Sequence, residues 1–237
     1  MLSATAVRLA AIEVLCPTAS RKSGAGFPTM AQHRVFDSRQ VAFQDLDHAS
    51  AFTPVLVLHT TESSAALRGA ASGSDDRDAS TLLDIVAEIA VAGDDAADTE
   101  VYVRSEDDPQ ARLVLEALTA QVRYLLEHAP SGRLFRRYAK TISAVEVKTY
   151  GSPDLGVRFL RNSIRLRIEV QDDDFDVPSG SLPEPCRSLH AELPAGSYAK
   201  AKLDELAAFF AMQPLPALTS ATLTTDLGVM AEGLPQP

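Results

Sequence analysis

The stretch STLLDIVAEIAVAG, residues 80–93, decides how the rest of the chain is interpreted. The apolar side chains on one face of an extended chain are Leu83, Ile85, Ala87, Ile89 and Val91. The other face holds Asp84 and Glu88, which a helix would instead place together on one stripe. Because β-branched residues are frequent and Gly93 ends the run, the pattern predicts a β-strand. The strand is longer than is typical, so we expect it to overhang its sheet and to offer an edge to a partner.

Two further strands are predicted before this one. In TPVLVLHT, residues 53–60, apolar side chains occupy both faces, which is typical of a central strand. RVFDSR, residues 34–39, predicts a shorter strand. The polar residues 61–79 predict a connection that is unusually long for a compact domain. It would be either a mobile loop that orders on assembly or a disordered excursion, and the sequence favours the mobile loop.

Helices are predicted before and after these strands in the chain. Ser3 is expected to cap an amphipathic first helix that ends near Leu15, and residues 18–32 predict a loop. After an acidic segment that we expect to be solvated, a helix begins with Pro109 at its first position and ends near Pro130. Its apolar stripe, which should pack on the sheet, consists of Leu115, Leu118, Val122 and Leu125.

Two strands, residues 141–150 and 157–170, complete the predicted sheet. The second divides its side chains between two faces. The inward face carries Leu160, Ile164, Leu166, Ile168 and Val170, and the outward face carries Arg161, Ser163, Arg165 and Arg167. Outward arginines usually face solvent, but in an acidic protein they can also pair with acids of a neighbouring copy. The three arginines are therefore candidate subunit-interface residues.

Two other groups of residues are candidates for the same kind of contact. The one locally basic patch, SGRLFRRYAK, contains Arg136 and Arg137, which would either be solvated or contact an acidic neighbouring subunit. Phe209 and Phe210 are adjacent in a helix predicted over residues 196–212. Two neighbouring phenylalanines indicate burial against the main body or against another subunit.

The order of these elements predicts an α+β protein: a mostly antiparallel β-sheet with helices packed on it, followed by a C-terminal helical extension. We divide the chain into a core domain, residues 1–170, and a C-terminal linker, helix and extended tail, residues 171–237. The linker holds a cluster of aspartates without the alternate spacing, turn glycine and distal Glu of a calcium loop. We therefore assign no metal to it.

Composition restricts the possible functions. The formal net charge of −10 over 237 residues argues against wrapping nucleic acid, which needs a basic surface. The two cysteines, Cys16 and Cys186, provide neither a disulfide framework nor a zinc knuckle, so a reducing cytoplasm is the default. Arg8 and Glu13 interrupt the apolar N-terminal run, which argues against a signal peptide, and no run is long enough to span a membrane.

The sequence contains no recognisable catalytic motif: no nucleophile elbow, zinc-protease motif, phosphate-binding loop or local Cys–His pair. The five histidines stand at unrelated spacings, and the carboxylates lie in runs expected to be solvated, where nothing would raise their pKa. We therefore expect no catalytic residue, no cofactor and no metal, although catalytic groups could still converge from distant segments.

The elements follow one another in a characteristic order: a first helix, the short RVFDSR strand, the PVLVLHT strand, the long strand, a helix and two closing strands. The short strand contains Asp37, Ser38 and Arg39, and the apolar strand that follows opens with Pro54. In this arrangement, over about residues 1–170, the chain resembles the tail terminator (tail completion) proteins of long-tailed bacteriophages.

The resemblance implies an α+β subunit that assembles as a hexameric ring. Such a ring would cap the tail tube, stop its growth and present a surface to the neck or head-completion protein, within a virion assembled in the host bacterial cytoplasm. DNA would pass through the lumen without sequence-specific binding, and negative charge would keep it from sticking. Many relatives end near the closing strands, so residues 171–237 would add contacts between subunits or with the neck.

Other classes of function remain open: another connector or stopper protein of the neck, a small enzyme with an unrecognised cleft, or a stand-alone bacterial protein. Ring formation would separate the neck proteins from the last two, and co-purification with tail tubes would separate a terminator from a connector. No membrane contact is expected. As a hypothesis, the long strand and residues 61–79 form part of the subunit contact. Charge reversal at Arg161 and Arg165 should then weaken assembly and leave the monomer folded.

Overall fold

A computed structural model of the protein describes residues 1–39, 52–69, 77–90, 109–154, 157–176 and 181–211. The strands in these ranges are β1 (Val35–Asp37), β2 (Thr53–Leu67), β3 (Arg77–Ala90), β4 (Thr141–Asp154) and β5 (Val157–Val170). The helices are α1 (Leu2–Leu15), α2 (Thr18–Ser23), α3 (Pro109–Glu127), α4 (Arg133–Tyr138), α5 (Cys186–Glu192) and α6 (Tyr198–Phe210). The predicted acidic segment before Pro109 and the tail from Pro214 lie outside the described residues.

The described strands form one five-stranded sheet in the order β1-β2-β3-β5-β4. β1 runs parallel to β2, and the other neighbouring pairs are antiparallel. α1 and α3 pack on one face of the sheet. Residues 53–58 of β2 are buried on both faces between β1 and β3, as predicted for a central strand. The predicted α+β class with a mostly antiparallel sheet is therefore confirmed.

β3 contains the stretch that decided the prediction, and it lies inside the sheet. Its side chains alternate as expected, since Leu83, Ile85 and Ile89 are fully buried on the helix face. However, β3 pairs with β2 on one side and with β5 on the other over Ala79–Ala90. The expectation that this strand offers an edge to a partner was wrong, because alternation fixes the faces of a strand but not its position in the sheet.

The segment after residue 60 also differs from the prediction. Residues 61–67 continue β2 and pair with the start of β3, so a mobile connection over residues 61–79 was wrong for this part. Ser63 Oγ lies 3.2 Å from Thr81 Oγ1 across the two strands. Polar residues suggested a loop, but short hydroxyl side chains pair well across strands when the extension is exposed. Residues 70–76 lie outside the described residues.

α1 is buried on nearly every side. Ten of its 14 residues are buried, so the prediction of a helix with a single apolar stripe was wrong. The helix contacts β1, β2 and β3 as well as α3, α4, α5 and α6. Its many alanines allow close approach by neighbours on several sides, which a one-stripe pattern does not anticipate.

The N-terminus of α1 is capped from a distant part of the chain. The helix begins at Leu2, with Ser3 inside it, so Ser3 is not the cap. Instead, the Asp173 carboxylate accepts hydrogen bonds from the backbone N–H groups of Leu2 at 2.8 Å and Ser3 at 2.7 Å. A carboxylate at this position pairs with two N–H groups that have no partner within the helix, and its negative charge interacts favourably with the positive end of the helix dipole. One member of the aspartate cluster thus has a structural role.

A short helix, α2, occupies part of the predicted loop over residues 18–32. Its first turn is held by Glu13, whose carboxylate accepts hydrogen bonds from the N–H and the hydroxyl of Thr18. Gly24, in the left-handed region at φ 70°, ends it. The sequence rule missed this helix because its cap comes from the preceding helix.

α3 confirms its predicted stripe. Its buried residues include Leu115, Leu118, Val122 and Leu125, and the helix packs on β3 and β5. Below it, the buried Asn162 amide donates to Thr119 Oγ1 at 3.0 Å and accepts from Thr149 Oγ1 at 2.8 Å. Because these polar groups satisfy one another, they fix α3 over β4 and β5 without leaving unpaired amide atoms.

The C-terminal helices pack on the helix layer. α5 and α6 contact α1 and each other. Cys186, Leu189 and Leu203 are fully buried and belong to the same hydrophobic core as α1 and the sheet. Residues 181–211, which were assigned to an extension, are therefore part of the packed body of the protein.

Candidate assembly surface

The outward arginines of β5 lie on the sheet face opposite α1 and α3, as predicted. Arg165 donates from Nε and Nη2 to the two carboxylate oxygens of Asp84 in β3, at 2.7 and 2.9 Å. The hydroxyl of Thr61 in β2 donates to the same carboxylate at 2.9 Å. One aspartate therefore joins three strands on this face.

Asp84 is only 6% exposed, yet it is held in the charged form. Burial alone would raise its pKa, but hydrogen bonds from Arg165 and Thr61, with the charge of Arg165, outweigh burial and lower the pKa of Asp84. The hydrogen bonds to Asp84 and the charge of this carboxylate raise the pKa of Arg165. Because two nitrogens of the Arg165 guanidinium bind Asp84, this side chain stabilises the contact between β5 and β3 of its own sheet.

Arg161 and Glu88 form a second, looser pair on the same face. Arg161 Nε lies 3.9 Å from Glu88 Oε2, and this nitrogen donates no hydrogen bond within the described part of the chain. Glu88 is buried, and burial raises its pKa more than the positive charge of Arg161 lowers it. This carboxylate is therefore less well compensated than Asp84.

Arg167 differs from the other two arginines. It is exposed and lies between Leu82 of β3 and Ala144 of β4. Within the described ranges, its guanidinium forms no ion pair. Of the three arginines on this face, Arg167 is the one whose charge remains available to another molecule.

The two arginines of α4 both contact other parts of the same chain, although Arg137 remains exposed. Arg136 donates from Nη1 to the carbonyl of Leu126 at 3.0 Å and from Nη2 to that of Ala129 at 2.8 Å. It thereby satisfies carbonyl groups at the C-terminal end of α3. Arg137 Nη1 lies 3.0 Å from the Glu192 carboxylate and ties α4 to α5. Only Arg136 is thus partly buried by its contacts, whereas Arg133, Arg137 and Lys140 of the basic patch are exposed.

The two phenylalanines of α6 have different environments. Phe210 is partly buried and packs against the hydrophobic core, whereas Phe209 is 68% exposed. The structure thus buries one of the pair against the main body and leaves Phe209 for solvent or a partner.

The seven candidate residues do not form one surface. The arginines of β5 stand on one face of the sheet, whereas α4 and α6 belong to the helix layer on the other face. Arg161, Arg165 and Arg167 are brought together, and Arg136, Arg137, Phe209 and Phe210 are separate from them.

The outer edge of β4 is a surface that the sequence does not reveal. In the described part of the chain, β4 has a neighbour on one side only. Residues 146–150 are all exposed, and two of them are large and apolar: Val147 and Tyr150. The alternation of TISAVEVKTY predicts a strand, but no pattern within it says that the strand borders the sheet.

Asp37, one of the residues behind the resemblance, lies where α1, β1 and α6 meet. Its carboxylate is 2.7 Å from Arg8 Nε and accepts a hydrogen bond from the Tyr198 hydroxyl at 3.2 Å. Burial, together with the charge of Asp37, raises the pKa of Tyr198 to about 12. Nearby, the guanidinium of Arg39 stacks on the Phe36 ring at 3.8 Å. These contacts give the segment a structural role.

A cavity of about 220 Å³ lies between α4 and α5, and its lining includes Arg137, Lys140 and Glu184. Its volume is below the roughly 300–1,000 Å³ of typical small-molecule sites. Among the described residues, no three His, Cys, Asp or Glu side chains converge as metal ligands. None of the helices described above combines the length and the apolar character needed to cross a membrane.

Neither a protein-family model nor a curated protein matches this chain. The function is therefore inferred from the arrangement of its elements and from its exposed surfaces.

Proposed function

We propose that the protein is a phage tail terminator, a subunit of a hexameric ring that caps the tail tube, ends its polymerisation and joins the tail to the neck. The observation that carries this proposal is the order α1, β1, β2, β3, α3, β4, β5, which the chain follows apart from the short helices α2 and α4. It is the order on which the resemblance to tail terminators rests, with the Asp37 segment in the short strand before β2.

The exposed apolar side chains support a subunit that makes contacts with other copies or with neighbouring proteins. Leu113 and Tyr124 on α3 are 59% and 58% exposed, and Phe209 on α6 is also exposed. Leu113 and Tyr124 stand about three helical turns apart, so they lie on the same outer side of α3, about 16 Å from each other along the helix axis. Large exposed apolar residues are typical of interfaces, where a partner removes them from water.

The acidic character of the chain supports the passage of DNA without binding. A net charge of −10 repels the phosphate backbone, and the charge of several subunits would add in a ring. On this proposal the partners are other copies of the chain, the tail-tube protein and the neck or head-completion protein, and the site of action is the virion.

The proposal is tested by adding the purified protein to tail-tube protein of the same virus during tube polymerisation. We expect shorter tubes that each end in a ring, seen by electron microscopy. The double variant L113S/Y124S, with R123A as a matched control on the same helix, tests whether the α3 surface takes part. Tubes of unchanged length without bound protein would contradict the proposal, and rings that bind neck protein but ignore tubes would indicate a connector instead.

A further inference from the structure

We propose that the edge of β4, which has no neighbouring strand among the described residues, pairs with β4 of a second copy, in antiparallel orientation and centred on Val147, so that two sheets join into one. This contact is an addition to the proposed ring. It is an isologous two-fold contact that closes at two copies, whereas a ring with two different faces uses head-to-tail contacts.

The edge of β4 is exposed in the described part of the chain. β4 is 14 residues long and pairs only with β5 within the described ranges. An edge strand presents unpaired N–H and C=O groups, which another strand can satisfy by extending the sheet. A bulge between Ile142 and Ala144 limits the regular part, so the segment beyond Ala144 is the one suited to pairing.

The charges of Glu146 and Lys148 favour one register of the two β4 strands. In an antiparallel pair of identical strands, the backbone groups that face outward repeat every second residue, so the two-fold axis must pass through a residue. An axis at Glu146 or Lys148 would place like charges opposite each other. With the axis at Val147, Glu146 of each copy faces Lys148 of the other, which is the complementary arrangement.

The pairing would bury Val147 and bring Glu146 and Lys148 of the two copies together. Val147 is 44% exposed and would meet its own counterpart on the helix face of the joined sheets. Within one copy, Lys148 Nζ and Glu146 Oε2 are 3.8 Å apart and both side chains are more than half exposed. Both are therefore free to turn toward a partner strand without breaking a buried contact.

A charge exchange tests the register. Glu146→Lys alone and Lys148→Glu alone each convert two attractive pairs into like-charge pairs, and each should weaken dimerisation by about tenfold in sedimentation or light scattering. The double variant E146K/K148E restores opposite charges across the axis and should return the dimer affinity to that of the unchanged protein. A double variant that remains as weak as the single variants would overturn the proposed register.

Cross-linking tests the axis directly. In this pairing the two Val147 Cα atoms are about 4.5–5.5 Å apart, within disulfide range, so V147C should cross-link on mild oxidation. Tyr150 would lie about 20 Å from its counterpart, six residues along the strand, so Y150C is a matched control that should not cross-link. A monomer at all concentrations, or equal cross-linking of both variants, would overturn the inference. Rings without V147C cross-links would overturn it too and leave the proposed function intact.

Discussion

Arg165 on β5 and Asp84 on β3 stand directly opposite each other in register, and the guanidinium donates two hydrogen bonds to the carboxylate at 2.7 and 2.9 Å. Since Thr61 of β2 bonds the same carboxylate, the pair holds three strands together on the face opposite the helices. Arg165, which was a candidate contact for a second subunit, therefore makes its contacts within its own sheet. This changes what their substitution should do.

Charge reversal at Arg165 should destabilise the monomer. R165E would place a second negative charge beside buried Asp84, so we expect the thermal unfolding midpoint to fall. R167E is the matched control, because Arg167 is exposed on the same face without an ion pair in the described residues, and its midpoint should stay near that of the unchanged protein. Circular dichroism melts measure both. Equal midpoints for all three proteins would contradict a structural role for Arg165.

This prediction differs from the hypothesis that charge reversal at Arg161 and Arg165 weakens assembly and leaves the monomer folded. A loss of rings in that double variant would have two causes, namely an altered surface and a destabilised sheet. R167E alone changes the surface charge without touching Asp84, so it is the better probe of an assembly contact.

The two buried acids should give opposite pH dependences. The folded-state pKa of Asp84 is lowered, so its contribution to stability is present above its ordinary value of 3.8 and is lost as pH falls through the lower folded pKa. The pKa of Glu88 is raised above 4.5, so its contribution is present below 4.5 and is lost as pH rises through the higher folded pKa.

Substitutions separate these two contributions. The free energy of unfolding is measured with urea between pH 3 and 7. In the unchanged protein Glu88 should lower it as the pH rises above about 4.5, and Glu88→Gln should remove this decrease. Asp84→Asn should remove part of the loss on the acid side, below about pH 4. Profiles with the same shape as that of the unchanged protein would show that these acids have ordinary pKa values in the fold.

The two cysteines should be unreactive in the folded protein. Burial raises the pKa of Cys16, and burial with the charges of Asp173 and Glu184 raises the pKa of Cys186 to about 12. Because the thiolate is the reactive form, labelling by an alkylating reagent at pH 8 should be slow and should speed up on addition of urea. Rapid labelling of either thiol in native buffer would contradict the packing of α1 or α5.

The Asn162 network should contribute measurably to stability. Asn162→Ala leaves the Thr119 and Thr149 hydroxyls without this partner and opens a small cavity, so the free energy of unfolding should fall by roughly 1–3 kcal/mol. Ser163→Ala, one position away on the other face of β5, should change it by less than about 0.5 kcal/mol. Urea unfolding compares the two, and equal losses would show that the network adds nothing specific.

The sequence predicted those parts of the fold that depend on local periodicity. The alternation around Leu83 and Ile164 identified β3 and β5 and their buried faces, and the stripe through Leu118 identified the packed side of α3. It could not predict that Asp173 caps α1 or that β4 is the border strand of the described sheet, because those facts depend on residues far apart in the chain. Polar composition misled the assignment after residue 60, where the strand simply continues.

The candidate site was predicted only in part, for a related reason. Exposed arginines can be recognised by alternation, but their acidic partners, Asp84 and Glu88, stand more than 70 residues earlier and become neighbours only through strand pairing. The exposure of Phe209 and the burial of Phe210 depend on the orientation of α6. Edge position and ion pairing are properties of the assembled sheet, which periodicity does not contain.

The most direct test of the account is the mass of the purified protein by light scattering, alone and with tail-tube protein, followed by electron microscopy of the same fractions. The account predicts a closed ring, either already in the free protein or formed when tube protein is added, and rings seated at tube ends. A protein that forms no ring under either condition and does not bind tubes would contradict the central claim.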